Sequence, residues 1–254
     1  MSKVVVVMGA AGGIGRAIAE TFAKHSDFCS HMVLLDHENK KRELDEITQF
    51  VRQFIRVAWS AIDLTEIKST ELFGRYLRFL GGDMNVLINA AGVLPVPSPL
   101  VKTDEETIEK TLAVNLRGTM NCCKAVLPIM RAQKYGRIVN ISSIAAQSGD
   151  PGNTAYAISK AAVEKLTKQL AIEASYNKDG EPFDITVNAV APGIVDTPMT
   201  ANLHEKALQE YFKRSPLKRK IKPEEVAEAV YFLATASQAI NGVILPVDGG
   251  YLAS

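Results

Sequence analysis

At 254 residues, 47% apolar and 22% charged, the chain has enough apolar residues to bury a full core, which excludes a disordered or fibrous protein. Its 29 Lys and Arg nearly balance 28 Asp and Glu, and a formal charge of +1 gives no drive toward nucleic acid or an anionic membrane surface. Cys29, Cys122 and Cys123 have neither disulfide nor metal-ligand spacing, and His25, His31, His37 and His204 form no metal set, so no metal is expected and a reducing, cytoplasmic compartment is favoured.

The opening Met-Ser-Lys-Val-Val-Val-Val-Met imitates a signal peptide, but its apolar run is short and breaks into glycines, as a buried parallel strand does. No stretch is long enough to span a bilayer. Short β-branched runs predict strands at 4–8, 32–35, 56–61, 86–89, 137–141, 185–189 and 243–246. Helical patterns fall between them at 13–24, 40–54, 66–80, 104–133, 154–175 and 223–236. That alternation predicts an α/β fold of Rossmann type, a doubly wound, mostly parallel seven-stranded sheet with helices on both faces. Nothing divides the chain, so one domain over 1–254 is expected. The prolines of Pro95-Val-Pro-Ser-Pro99 shape a loop after the fourth strand. The irregular segment 193–222 reads as a substrate loop over the ligand crevice. Within it, the basic run Lys218-Arg-Lys-Ile-Lys222 reads as a solvated loop rather than a phosphate-tracking patch.

The first strand runs into Gly9-Ala-Ala-Gly-Gly-Ile-Gly15 and then a helix. Glycines there permit a tight turn and close approach of backbone to a pyrophosphate, which the helix N-terminus favours electrostatically. The spacing is Gly-x-x-x-Gly-x-Gly, and no Lys-Ser/Thr follows to make a P-loop. Asp36 ends the second strand, where a carboxylate accepts from ribose hydroxyls and repels a 2′-phosphate. This favours NAD over NADP. Lys40, Lys41 and Arg42 follow and are expected on the solvated face of the next helix.

Tyr156 and Lys160 are spaced to share one helix face, a turn apart. A phenol is a poor acid, with an ordinary pKa of about 10, and moving it to near neutrality takes about 4 kcal/mol of differential stabilisation. A neighbouring ammonium is expected to supply this and to make Tyr156 a usable proton donor and acceptor.

Taken together, Gly9–Gly15, Asp63-Leu-Thr65, Asn89-Ala-Ala-Gly92, Asn115, Ser142-Ser143, Tyr156-x-x-x-Lys160, Pro192-Gly193 and Val247-Asp-Gly-Gly250 stand in the order found in the short-chain dehydrogenases/reductases. The chain resembles that family over nearly its whole length. The resemblance implies that Ser143 hydrogen-bonds the substrate oxygen, with Ser142 placed instead to end the strand. It makes Tyr156 the acid and base, Lys160 its partner and a ribose contact, and Asn115 the anchor of a proton relay. Gly9, Gly13, Ile14 and Gly15 are implied cofactor contacts, as are Asp36, Asp63 and Leu64. So are Asn89, Ala90 and Gly92, together with Pro192, Gly193 and Thr197. Met8 replaces the Thr common before the first glycine, and Ala90 and Ala91 depart from the usual Asn-Asn-Ala-Gly pattern.

The implied reaction is reversible hydride transfer between a nicotinamide and a secondary alcohol or ketone. Segments 189–200 and 223–233 resemble the 3-oxoacyl-[acyl-carrier-protein] reductase branch. That branch usually prefers NADP, often with a basic residue in the glycine loop, where this chain has Ala10, Ala11 and Gly12. An acidic carrier would need cations at the entrance; Arg131 and Lys134 are candidates, but Ile172 stands where another is expected. The preferred substrate is therefore a hydroxyacyl compound or similar small alcohol, with a polyol, sugar or hydroxysteroid as the alternative. A nucleotide-binding regulator without turnover is the reading from another class, and the intact Asn115, Ser143, Tyr156 and Lys160 argue against it. Apolar residues along the long helices, including Leu112, Val114, Met120, Val163, Leu166 and Leu170, together with the resemblance imply a homodimer or homotetramer.

Overall fold

A computed structural model of the protein describes residues 3–66, 68, 84–177 and 179–254, so the helix expected over 66–80 lies almost wholly outside the described residues. Seven strands are present among them: β1 (Lys3–Met8), β2 (Cys29–Asp36), β3 (Arg56–Ala61), β4 (Val86–Asn89), β5 (Tyr135–Ile141), β6 (Asp184–Pro192) and β7 (Ile244–Val247). They form one sheet in the order β3-β2-β1-β4-β5-β6-β7, and every neighbouring pair is parallel. The strand order reverses direction between β1 and β4, and such a switch point opens a crevice at the carboxyl ends of the strands.

Covering on both faces explains the unbroken apolar strands. Val5 and Val7 of β1 belong to one core with α1 (Gly13–Lys24), α2 (Lys41–Val51) and α7 (Pro223–Thr235), in which Phe22, Leu44 and Val230 are fully buried. Val6 and Met8 point the other way, into a core with Cys122, Val126 and Met130 of α4 (Thr119–Gln133) and Leu170 of α5 (Thr154–Glu173). Each fully buried aliphatic side chain contributes about 1.5–3 kcal/mol, so either face alone is a substantial fold-defining surface.

The long helix expected over 104–133 is built in three parts. Asp104 caps α3 (Glu105–Leu112) by accepting from the Thr107 N–H at 2.6 Å, with Glu105 and Glu106 complementing the helix dipole. A π-helical segment, Ala113–Gly118, then precedes α4. Such an insertion rotates one turn out of register and commonly marks a functional site. It carries Asn115.

Residues 193–222 contain α6 (Glu205–Arg214). The basic run after it is more structural than its sequence suggests. Lys218 donates to the Phe212 carbonyl at 2.6 Å, closing the end of α6. Arg219 forms a two-pronged pair with Glu225 at 2.7 and 2.8 Å, which draws that carboxyl down to about 2.

Candidate active site

The glycine loop is shaped first by backbone crowding. Gly9 has φ +78°, and a Cβ there would strike the Ala91 backbone; a Cβ on Gly15 would strike the Gly9 carbonyl. Gly12 is different: it caps α1, and a Cβ on it would meet only the Gly9 carbonyl at 3.4 Å. No side chain caps the N-terminus of α1, so its leading N–H groups remain available to an anion. Ile14 anchors this turn by packing on the first core. Over it folds Thr197, so close that a Cβ on Gly13 would lie 2.6 Å from the Thr197 methyl.

Asp36 closes the other side of this cradle. One carboxylate oxygen accepts from the Ala11 N–H at 2.9 Å and the other from the His37 N–H at 2.8 Å. Each oxygen keeps a further lone pair for a ribose hydroxyl. Nearby cations are mostly occupied: Lys40 pairs with Glu43 at 2.8 Å, Arg42 with Glu46 at 3.3 Å, and Arg16 with Glu20 at 3.0 Å. Asp63 accepts from the Thr65 N–H and hydroxyl at 2.9 and 2.7 Å, which holds its carboxyl below the usual range and sets the loop after β3. Leu64 is buried there, and its carbonyl accepts from Asn121 at 2.9 Å.

Asn89 ends β4, and Ala90 and Gly92 follow it at the switch point. The Ala90 N–H donates to Met8, while Asn89 donates to Asn140 across the sheet at 2.8 Å. Gly92 lies between Asn115 and Lys160: a Cβ there would meet the Asn115 Oδ1 at 3.3 Å and the Lys160 Nζ at 3.4 Å.

The four residues expected to do chemistry converge on this point. Asn115 is fully buried; its Oδ1 accepts from the Val93 N–H at 2.8 Å, and its Nδ2 donates to the Val93 carbonyl and the Ser159 hydroxyl, both at 3.0 Å. Ser159 in turn donates to the carbonyl of Tyr156 at 2.7 Å, so the amide braces the turn that carries the phenol. Ser142 and Ser143 separate as expected. Ser142 is buried and donates to Glu164 at 3.1 Å, whereas Ser143 starts the following turn, where its hydroxyl accepts from the Ala145 N–H at 3.2 Å and neighbours the Tyr156 phenol.

The electrostatic expectation for Tyr156 is not met. Burial raises the phenol above its ordinary value, and the neighbouring Ser143 hydroxyl opposes this only in part. Lys160 does not reverse it, because its ammonium lies 5.7 Å from the centre of the ring and donates instead to the Ile141 carbonyl at 2.8 Å. Burial also lowers the pKa of Lys160 itself to about 8.

At the far side of the site, Pro192 ends β6 and the Gly193 N–H donates to Val247 at 3.0 Å. A Cβ on Gly193 would strike the Tyr211 hydroxyl, so glycine is what lets α6 lie against the sheet end. Arg131 and Lys134 fall elsewhere. Arg131 donates to the carbonyl of Glu173, at the opposite end of α5 from Tyr156, roughly 25 Å away along the helix. Within one chain, neither cation is near the catalytic group.

Among the described residues, no three His, Cys, Asp or Glu side chains gather as a metal site, and no helix is long and apolar enough to cross a membrane. The free thiols are buried, and burial pushes Cys29 and Cys123 up to about 12. Sequence reasoning missed Tyr211, Arg214, Tyr251 and Asp150, which meet beside the site. They come from three separate segments, and nothing in their spacing announces the contact.

Comparisons with known proteins bear on the whole of this arrangement. A family model described as enoyl-(acyl carrier protein) reductase matches residues 9–252. A 3-oxoacyl-[acyl-carrier-protein] reductase of Thermotoga maritima is 36% identical over 255 residues, covering 98% of this chain and 97% of its own. A cis-4-hydroxycyclohexanecarboxylate dehydrogenase of Sinomonas cyclohexanicum is 35% identical over 253 residues, covering 99% of this chain and 97% of its own. The solved structure of ElxO with NADP bound has a TM-score of 0.85 at 30% identity and spans 100% of both chains.

Proposed function

The chain belongs to the short-chain dehydrogenase/reductase family of oxidoreductases, and from that premise we propose that it interconverts a secondary alcohol and a ketone with NAD(H). The observation that carries this reading is the convergence of Asn115, Ser143, Tyr156 and Lys160 beside an uncapped helix N-terminus and a ribose-height carboxylate.

The residues present fit a dinucleotide. Gly12 leaves open space at the N-terminus of α1, where the N–H groups would hold the pyrophosphate, and Asp36 would accept from the adenosine ribose. Asp63 and Leu64 would border the adenine, with Asn89, Ala90 and Gly92 behind the nicotinamide half. Pro192, Gly193 and Thr197 would form its far wall. When bound, the nicotinamide supplies or accepts the hydride. The preference for NAD rests on the Asp36 charge and on the acidic partners already paired with Lys40, Arg42 and Arg16. ElxO, a neighbour solved with NADP, makes that preference the point to test.

For the substrate, Ser143 and Tyr156 hold the reacting oxygen, and Tyr156 moves the proton. The raised phenol keeps its proton at neutral pH, which is the state needed to deliver it to a ketone oxygen. Lys160 places a cation behind the ring, and Asn115 fixes the helix turn that aims it. The substrate class we favour is a 3-oxoacyl or 3-hydroxyacyl compound; the cyclic hydroxyacid relative keeps a polyol, sugar or hydroxysteroid as the second reading.

We place the protein in the reducing cytoplasm as one dinucleotide-binding domain, with the substrate loop at 193–222, assembled as a homotetramer or homodimer. Val163 and Leu170 are used up inside the subunit, whereas Met120, Ile158 and Ile172 on α4 and α5 remain exposed and support the assembly. The deciding experiment runs acetoacetyl thioesters, diketones, sugars and steroids with NADH and NADPH in parallel. Turnover of at least one ketone, faster with NADH, is expected. NADH binding without reduction of any ketone would instead make this a non-catalytic nucleotide sensor.

A further inference from the structure

The Val247-Asp-Gly-Gly250 motif lies at the chain's last strand, and the catalytic groups do not account for it. Its glycines have φ of +64° and +87°, so the backbone turns sharply at Gly249 and Gly250. Asp248 holds that turn by accepting from the Gly250 and Leu252 N–H groups, each at 2.9 Å. The turn sits under the end of α6: a Cβ on Gly249 would clash with Leu217 at 3.0 Å or less, and one on Gly250 would lie 3.1 Å from Pro216. The motif therefore presents Tyr251.

Tyr251 is buried and touches two segments at once. Its ring stacks on Tyr211 of α6, with centroids 4.9 Å apart and planes 18° off parallel. Arg214, a turn further along α6, donates to the Tyr251 hydroxyl at 2.7 Å. That hydroxyl donates at 3.0 Å to Asp150, in the loop joining Ser143 to the helix of Tyr156. The other Asp150 oxygen accepts from Ser148 at 2.6 Å, and the Ser148 N–H donates to Ile144 at 2.9 Å. Ile144, the residue after Ser143, completes a small core with Tyr211 and Tyr251 that is separate from both sheet cores. Burial and the Asp150 carboxylate keep the Tyr251 phenol protonated, so it remains a donor.

We propose that the C-terminal turn is a latch that locks α6 onto the Ser143 loop, with Tyr251 as a positioning residue for Ser143. A side chain that meets α6 at one end and the catalytic loop at the other couples the position of α6 to the group that holds the substrate oxygen. Two features separate this from ordinary packing. The polar chain from Arg214 through Tyr251 to Asp150 joins elements that no strand or helix connects. The apolar part of the contact also ends on the residue adjoining Ser143.

The inference rests on the oxidoreductase reading for its turnover measurements only; amide hydrogen exchange tests the latch whether or not a substrate is known. Tyr251→Phe keeps the stack and removes the hydroxyl. Exchange is expected to quicken together in residues 144–150 and 205–215 and to stay unchanged in α1. With a ketone that the protein reduces, kcat/KM is expected to fall about tenfold, the worth of one charge-assisted hydrogen bond, with NADH affinity unchanged. Asp150→Asn keeps an oxygen for the Tyr251 hydroxyl and should lose less than Tyr251→Phe, whereas Asp150→Ala, which also frees Ser148 and Arg214, should lose at least as much, and adding Tyr251→Phe to it should cost nothing further. Quickened exchange confined to 248–254, or independent multiplication of the two effects, overturns the latch. Loss of all turnover in the unaltered protein would defeat the oxidoreductase reading and leave the exchange result to decide this one.

Discussion

The two sides of the crevice are built by different means. On the β1–α1–β2 side, position is set by backbone: Gly9 and Gly15 let main chain touch main chain, and Asp36 reaches the loop through an N–H. On the side of α6 and the C-terminal turn, it is set by side chains from distant parts of the chain, with Tyr251, Tyr211, Arg214 and Asp150 meeting in one cluster. A backbone-built site tolerates few substitutions and keeps its shape as ligands come and go. A side-chain cluster can open by rotamer changes and can be rebuilt for a new substrate. The fixed side suits the cofactor common to many reactions, and the adjustable side suits the substrate.

Tyr156 stands where the two sides meet, so its loss should give the largest effect. Tyr156→Phe removes one hydroxyl from a half-buried ring that stays packed, and turnover is expected to fall by about 10²- to 10⁴-fold. NADH affinity and melting temperature should hardly change. A variant that keeps most of its kcat would break the link between this cluster and the chemistry. A smaller, more selective change is expected on the fixed side. Asp36→Asn removes the negative charge while leaving an amide oxygen for the Ala11 N–H, so the ratio of NADH to NADPH affinity should shift at least tenfold, or about 1.4 kcal/mol, toward NADPH. An unchanged ratio in paired titrations would show that Asp36 serves the loop alone.

This contrast also explains what could be read in the sequence. Gly9–Gly15, Asp36 and the Tyr156–Lys160 pair are local: a turn that only glycine permits, a strand end, a single helical turn. The strand pattern was legible for a similar reason, because two covered faces demand consecutive apolar residues such as Val4–Val7. The π-helical segment at Asn115 has no composition of its own, and the partners of its amide, Val93 and Ser159, lie in other segments of the chain. The Tyr251 cluster was invisible because Asp150 and Tyr251 lie 101 positions apart. The direction of the Tyr156 shift is not legible in the sequence, because spacing puts Lys160 on the right face without saying which atom its ammonium will meet. That atom is the Ile141 carbonyl oxygen.

Lys160 gives the smallest expected effect and the sharpest test of how the site is held, because it concerns stability rather than rate. Its ammonium is buried, with a pKa lowered from 10.5 to about 8. Between those values the unfolded chain binds more protons than the folded one, so this group makes stability rise with pH over that window. Below about pH 8 the full cost of burying the charge is present, on the order of 3 kcal/mol by linkage, offset in part by the bond to Ile141. Lys160→Met keeps the length and drops the charge. Its melting temperature at pH 7 is expected to lie a few degrees (about 3 °C) above that of the unaltered protein, with the gap narrowing as the pH approaches 10. Thermal melts across that range decide the point. A variant less stable than the parent at pH 7 would mean that the Ile141 hydrogen bond outweighs desolvation, and that the ammonium helps hold the two sides of the crevice together.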